Sequence, residues 1–215
     1  PTDWDDEVEF APDGAPLDDG TAAAAEAAVE EVLAYAAEQS EEREEDAPLR
    51  DVVEEVLADL DLEPDVELVT RHYLNTTIEH EYAGALEELS TWWWDEGEAY
   101  PGDDVLLVPG YVALVDGLAD GVAEDTGVVV DTVAVGDEGV VVRDADGGEH
   151  PADHVVVTLP LGVLQSGDVA FDPPLPDDKQ TAIERLGMGL LDKVYLRFPE
   201  VFWDADADAI GWTSP

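Results

Sequence analysis

From Ala152 to Trp203 the chain reads ADHVVVTLPLGVLQSGDVAFDPPLPDDKQTAIERLGMGLLDKVYLRFPEVFW, the one tightly spaced, multi-part pattern in the sequence. His154 to Leu159 is a short β-branched run that stops at Pro160. Because proline cannot join a ladder of backbone hydrogen bonds, this run predicts a buried strand followed by a tight turn. Phe171 to Pro176 is too rich in proline for regular structure.

The end of this stretch predicts a helix and a second strand. Asp177 opens an amphipathic segment, which predicts a helix ending at Gly187 or Gly189. Leu191 to Phe198 then alternates as a strand, but it contains Lys193, one of only two lysines in the chain. A lysine on a strand usually reaches water from a half-exposed face. The alternative is a buried lysine with a function.

Charge is the most unusual feature of the composition. The chain has 55 Asp and Glu residues against 8 Lys and Arg, a formal net charge of −47, yet 45% of its 215 residues are apolar. That apolar fraction suffices for the core of one or two domains, so the acidity predicts a solvated surface whose self-repulsion must be screened by salt. The simplest hypothesis is an acidic, halophilic protein. We expect no nucleic-acid partner, because phosphate contacts need Lys and Arg.

Several other signals are missing from the sequence. There is no Cys, which excludes disulfides, thiolate metal ligands and Cys nucleophiles. No apolar run approaches the roughly 18 residues of a spanning helix, and the N-terminus lacks a signal pattern. We therefore expect no membrane partner and a cytoplasmic location. Neither end carries a terminal motif, which predicts a fragment, and the oligomeric state stays open.

The first hundred residues predict a mostly helical unit. Val8 to Leu17 is typical of a hairpin around an Asp-Gly turn. Thr21 is predicted to cap a helix reaching about Glu45, and a second helix begins at 46–48 and stops before Pro64. Each is predicted to carry an apolar stripe that faces a core: Ala25, Ala28, Val29, Val32, Leu33 and Ala36 in the first, and Leu49, Val52, Val53, Val56, Leu57 and Leu60 in the second. A third runs from Asp65 to about Ser90, and its apolar period is broken near 75–77. Both His72 and His80 lie in it beside acidic residues, but no HExxH spacing exists, so we expect no metal site.

The next segment predicts a small sheet. Short strands follow at Val128–Val130, Val133–Val135 and Gly139–Arg143, separated by Gly and Asp turns. They predict an antiparallel ribbon that leads into the strand beginning at residue 154.

The order of these parts resembles the flavin-dependent amine oxidases, the family of polyamine oxidases, monoamine oxidases and the related histone lysine demethylases. The blocks that carry the resemblance are Ala152, Asp153 and Val155–Leu164 (AD, VVVTLPLGVL), Phe171–Lys179 (FDPPLPDDK), Ala182–Gly189 (AIERLGMG) and Leu191–Trp203 (LDKVYLRFPEVFW). Asp192 stands where the family commonly has Asn, and Met188 where it has Phe.

The resemblance implies a mixed α+β and α/β fold, the central part of a two-domain FAD-dependent amine oxidase. Residues 1–100 would belong to a helical substrate domain and residues 101–188 to the FAD-binding domain. Residues 189–215 would begin the return to the substrate domain. The implied partner is a small-molecule amine.

Upstream of the quoted stretch, Gly102–Tyr111 resembles a family block in which a strand leads through a glycine into a helix. The resemblance implies such a strand here and a helix from Tyr111 to Leu118.

Other residues upstream of the quoted stretch also match family blocks. Glu81, with the Tyr and Ala after it, matches a glutamate that lines the substrate cavity in relatives, so Glu81 is a candidate contact for a cationic amine. The bland alternative is a solvated surface glutamate. Trp94 and Asp95 match a WD pair in which the aromatic mainly packs, and a cation cage formed by Trp92–Trp94 is the less favoured alternative. Val133 is the nearest match to a valine whose backbone meets the adenine of FAD.

The resemblance also implies the chemistry. Thr158, Leu159 and Pro160 would lie along the flavin, and Lys193 would hold a water against flavin N5. A hydride would pass from the carbon beside the amine nitrogen to FAD, leaving an imine that water hydrolyses, with oxygen accepting the electrons as hydrogen peroxide.

One departure from the family is large. The GxGxxG fingerprint that binds the FAD pyrophosphate does not occur in the sequence, so this chain alone is not expected to hold FAD tightly. Two alternatives therefore stay open. One is a related flavin oxidoreductase acting on amino acids or a conjugated ring, and the other is an acidic interaction module or relic without cofactor.

Overall fold

The chain combines helices and short strands in two compact units. The computed structural model describes residues 7–95, 97, 107–108, 110–204, 206–207 and 209–213. Pro1–Leu106 and Gly189–Pro215 form the first unit, and Leu107–Met188 form the second. This mixture is the predicted fold class.

The first unit is built on three helices: α1 (Asp19–Glu42), α2 (Leu49–Leu60) and α3 (Pro64–Leu74). All three were predicted, and α1 ends three residues before the predicted Glu45. The cap of α1 differs, because the carboxylate of Asp18 accepts hydrogen bonds from the backbone N–H groups of Gly20 and Thr21, both at 3.1 Å. Thr21 is therefore inside the first turn, and Asp18 satisfies the free donors there.

The core of the first unit lies where the apolar stripes of these helices meet. Its buried members are Val29, Val32, Ala36, Leu49, Val52, Val53, Val56, Leu57, Leu74 and Ile78. Nearly all stand at the three- and four-residue spacing that the sequence shows, because a helix returns to the same face at that interval. The predicted stripes of α1 and α2 are confirmed.

The third predicted helix is interrupted and short. At the break in apolar period, Asn75–Glu79 form a π-helical turn, which leads into one last helical turn, α4 (His80–Tyr82). Ala83 then adopts a left-handed backbone with φ 49° and ends the helix. The helix therefore does not reach Ser90, because a left-handed residue cannot continue it.

The N-terminal strand β1 (Glu7–Phe10) pairs in parallel with β6 (Ala209–Trp212), the last strand of the chain. After β1 the chain turns as predicted, with Gly14 N–H donating to Ala11 O at 2.9 Å. The second arm returns through a single antiparallel bridge between Phe10 and Pro16. It forms no strand of its own.

The second unit contains the predicted ribbon. Its elements are α5 (Val112–Ala119), β2 (Val130–Gly136), β3 (Gly139–Asp144), β4 (Glu149–Ala152), α6 (Leu161–Ser166), β5 (Ala170–Asp172) and α7 (Asp177–Arg185). The sheet order is β4-β3-β2-β5, antiparallel except for the parallel pair of β2 and β5. The strand predicted within Gly102 to Tyr111 lies mostly outside the described residues.

Three predictions for the stretch from Ala152 to Trp203 are wrong, one of them in part. His154 to Leu159 has no strand structure, and Val156 is 86% exposed. Leu191 to Phe198 is likewise exposed and irregular. Phe171 and Asp172, expected to be irregular, belong to β5, whereas residues 173–176 have no regular structure, as predicted. The reason is the same in each case, because a strand exists only where another backbone pairs with it. Among the described residues, β5 has β2 as its partner, whereas neither of the two apolar runs is part of a sheet.

Ion pairs tie the helices of the first unit together at their surface. The guanidinium of Arg71 on α3 makes a bidentate pair with Glu54 on α2, at 2.7 and 2.9 Å, and also bonds Glu67 at 2.9 Å. This pairing is the main reason that the pKa of Glu54 is lowered from its ordinary value.

Arg71→Gln is expected to lower the free energy of unfolding by about 0.5–1 kcal/mol at pH 7, because the pair is half exposed and screened by solvent. Glu54 has a depressed pKa when folded, so its contribution is present above the pKa of the unfolded chain and is lost as pH falls through the folded pKa. The difference between wild type and variant, measured by urea unfolding, should therefore close on acidification. A constant difference down to pH 2 would contradict this origin.

Among the described residues, no helix has both the length and the apolar character needed to cross a membrane.

Candidate functional site

The residues singled out by the sequence fall in both units. Glu81 is exposed on α4, and its neighbour Tyr82 places its ring edge-on to Trp94, with centroids 6.2 Å apart. The Tyr82 hydroxyl donates to Asp95 Oδ1 at 3.4 Å. Burial is the largest cause raising the pKa of Tyr82, followed by the nearby carboxylate of Asp95. Glu81 thus stands next to an ordered aromatic pair.

The tryptophan cluster divides into packing and exposed members. Trp94 packs against the helical core, which confirms its predicted packing role, whereas Trp93 is 62% exposed. The indole N–H of Trp94 is buried, and no hydrogen-bond acceptor for it lies among the described residues. Trp93 and Trp94 therefore lie in different environments.

Lys193 lies in an exposed, irregular segment of the first unit. That segment begins against α4: a Cβ on Gly189 would lie 1.9 Å from the carbonyl oxygen of Ala83, so the two backbones are in direct contact. Ala83 follows Glu81 by two positions, and Gly189 precedes Lys193 by four. The fold therefore brings the two chain segments that carry Glu81 and Lys193 together.

Val133 is 96% buried at the centre of the ribbon, with 4% of its surface exposed. It lies opposite Val142 on β3 and opposite Phe171 on β5. Its side chain therefore serves the core of the second unit, and any contact with a ligand would come from its backbone, as the resemblance implies.

Thr158, Leu159 and Pro160 are the three residues directly before α6. Thr158 and Pro160 are exposed, Leu159 is half-buried, and Pro160 is the N-cap of α6. The helix after them is fixed by Gln165, whose amide donates to the carbonyl oxygens of Ile183 and Leu186 at 2.9 and 2.8 Å. Gln165 was not among the predicted site residues. The one feature of the sequence that could have indicated it is its position directly after the LGVL block.

These residues fit one part of a flavin site. The largely exposed segment from Val155 to Pro160 offers apolar side chains and the hydroxyl of Thr158, which suit an aromatic ring system. No glycine-rich phosphate loop occurs in the sequence, so the pyrophosphate has no cradle here. Among the described residues, no group of three or more His, Asp or Glu side chains is placed to hold a metal ion.

Residues 10–215, nearly the whole chain, match the family model of the flavin containing amine oxidoreductases. The chain belongs to this family, and its mixed fold is part of the FAD-dependent amine oxidase fold. FAD is the cofactor that the family implies.

The individual relatives agree with this. The chain is 42% identical over 137 residues to lysine-specific histone demethylase 1 homolog 2 of Arabidopsis thaliana, which covers 62% of this chain and 18% of the relative. It is 33% identical over 183 residues to lysine-specific histone demethylase 1B of Mus musculus, covering 80% and 22%. A redesigned putrescine oxidase has the same fold, with a TM-score of 0.54 and 16% identity over 83% of this chain and 45% of that one. The chain thus spans about a fifth of these curated relatives.

Proposed function

We propose that the flavoprotein containing this chain oxidises an amine to an imine, with oxygen as the electron acceptor. The observation that carries the proposal is the contact between Ala83 and Gly189, which brings a candidate amine-binding segment and the lysine segment together within a family of amine oxidoreductases. Residues 1–100 would serve as the substrate-domain portion, 101–188 as the FAD-domain portion and 189–215 as the return to the substrate domain.

The residues of the first unit would bind and orient the amine. Glu81 would pair with the ammonium group of the substrate, and an exposed carboxylate near the Tyr82 hydroxyl suits a cation. The ammonium of Lys193 offers three donors, enough to hold an ordered water at a defined place. Its present exposure means that the water-excluding walls must come from groups that pack over this segment.

The second unit would contribute to the flavin site. Thr158, Leu159 and Pro160 would contact the ring system, and the backbone of Val133 would meet the adenine. A flavin held there would supply the acceptor for the hydride from the carbon beside the nitrogen, and oxygen would take up the two electrons and two protons as hydrogen peroxide. Water would hydrolyse the imine to a carbonyl compound and the released amine.

A second substrate class is methylated lysine within a protein. It is favoured by identities of 33% and 42% to proteins named histone demethylases, higher than the 16% to putrescine oxidase. The chemistry at the nitrogen would be the same, because an N-methyl carbon also lies beside an amine nitrogen. The two classes differ in what surrounds the reacting group, and therefore in which substrate bleaches the flavin.

The test is to purify the complete flavoprotein in molar salt and record its visible absorption. We expect a flavin spectrum that is bleached without oxygen by either a polyamine or a methyl-lysine peptide, with colour and hydrogen peroxide appearing when air is admitted. Bleaching by an amino acid alone would favour a related flavin oxidoreductase. A colourless protein would overturn the proposal.

A further inference from the structure

The π-helical turn Asn75–Glu79 ends two residues before the candidate amine-binding residue Glu81. Turns of this kind occur within helices as single insertions and are frequent at functional sites. Ile78, fully buried, anchors the turn in the helical core. The turn thus joins a rigid core to an exposed Glu81.

Glu79, the last residue of this turn, holds the loop that follows α4. One carboxylate oxygen accepts the backbone N–H of Leu86 at 2.8 Å, and the other accepts the side-chain amide of Asn75 at 2.5 Å. The backbone carbonyl of Glu79 also accepts the N–H of Gly84, at 3.2 Å. A single residue therefore fastens the loop at two places and ties it to the start of the π turn.

This loop carries the left-handed Ala83 on which Gly189 rests. Its far side is fixed as well, because Leu86 O accepts the N–H of Arg50 on α2 at 3.1 Å. Without the carboxylate of Glu79, the N–H of Leu86 loses its acceptor, and the turn at Ala83 loses one of the two bonds that Glu79 makes to it. The position of Glu81 then becomes less defined, since it lies between Glu79 and Ala83.

We propose that Glu79 is a positioning residue for amine binding, which sets the place of Glu81 by bonding the N–H of Leu86 and the amide of Asn75. This inference rests on the proposed function, in which Glu81 meets the ammonium group. Glu79 itself does not touch the substrate.

The first arm of the test does not depend on any amine. Hydrogen–deuterium exchange of the complete flavoprotein should show that Glu79→Ala speeds exchange of the peptide covering residues 83–89 about tenfold or more, since the half-buried acceptor of the Leu86 N–H is lost. Glu88→Ala is the matched control, because Glu88 is an exposed acid of the same loop. Glu79→Gln, which keeps an acceptor for Leu86, should behave nearly as wild type. Equal exchange in wild type and Glu79→Ala would overturn the proposal whatever the substrate.

The second arm measures amine binding by anaerobic stopped-flow reduction of the flavin. Glu79→Ala and Glu81→Ala should each raise the dissociation constant for the amine about tenfold, with the limiting reduction rate changed less than about threefold. The double variant should be no worse than Glu81→Ala alone, because residues that act as one unit are not additive.

Additive effects, or a normal dissociation constant in Glu79→Ala with only a lower melting temperature, would overturn the positioning role. If no amine bleaches the wild-type flavin, the proposed function fails, and the exchange experiment still decides whether Glu79 orders the loop.

Discussion

Lys193→Met in the complete flavoprotein is expected to slow flavin reduction by amine, or its reoxidation by oxygen, about 100-fold. Positioned donors and proton-transfer groups contribute roughly 10²- to 10⁴-fold in enzymes, and methionine keeps the length of the side chain while removing all three donors. FAD content and thermal stability should stay nearly unchanged. Lys193 is exposed here, and surface substitutions usually change stability by less than about 0.5 kcal/mol.

The chain provides a matched control for this experiment. Lys179 is the only other lysine and is an exposed residue of α7. Lys179→Met removes the same charge from a chain of net charge −47, so it reports any general effect of making the protein more acidic. Stopped-flow rates of Lys193→Met that match those of Lys179→Met would refute the role proposed for Lys193.

Gly189→Ala is expected to displace the segment that carries Lys193. The new Cβ would lie 1.9 Å from the carbonyl oxygen of Ala83 and 2.8 Å from its carbonyl carbon, and backbone atoms cannot rotate away as a side chain can. Overpacking of this kind costs about 1–3 kcal/mol. Since Lys193 follows only four positions later, the rate of flavin reduction should fall as well, by about 100-fold for a displacement of roughly 1 Å.

Gly187→Ala is the control, because a Cβ at Gly187 meets nothing within 4 Å and its backbone is not left-handed. Urea unfolding in molar salt and limited proteolysis should show Gly189→Ala to be less stable, with faster cleavage within residues 190–203. Gly187→Ala should resemble wild type in both. Two variants with the same behaviour would show that the contact with Ala83 is not needed.

Sequence reasoning works best here where structure depends on local order. The stripes of α1 and α2 were predicted residue by residue, because the three- and four-residue spacing of Val29, Val32 and Ala36 is itself the geometry of a helix face. The antiparallel ribbon of β2 and β3 was predicted for a similar reason, since its strands are joined by a short turn. The break near residues 75–77 was also visible as a lost period, although its π-helical form was not.

The candidate site was less predictable. Glu81, Val133, Lys193 and the residues from Thr158 to Pro160 were found from family blocks, and their roles remain proposals. Glu79 and Gln165, whose side chains fix segments beside the candidate site residues, were not predicted. Their importance depends on backbone groups of residues further along the chain, Leu86 for Glu79, and Ile183 and Leu186 for Gln165. The local sequence does not indicate which distant backbone group a side chain will bond.

By itself, the sequence determined the helical first unit, the ribbon of the second, the strongly negative net charge and the family. Tertiary structure alone decided which β-branched runs become strands, the parallel pairing of β1 with β6, the end of the third helix at Ala83, and the contact of Ala83 with Gly189. The physical reason is the range of the interactions. A helix satisfies its own backbone within four residues, whereas a strand or a close backbone contact needs a partner that may lie a hundred or more residues away.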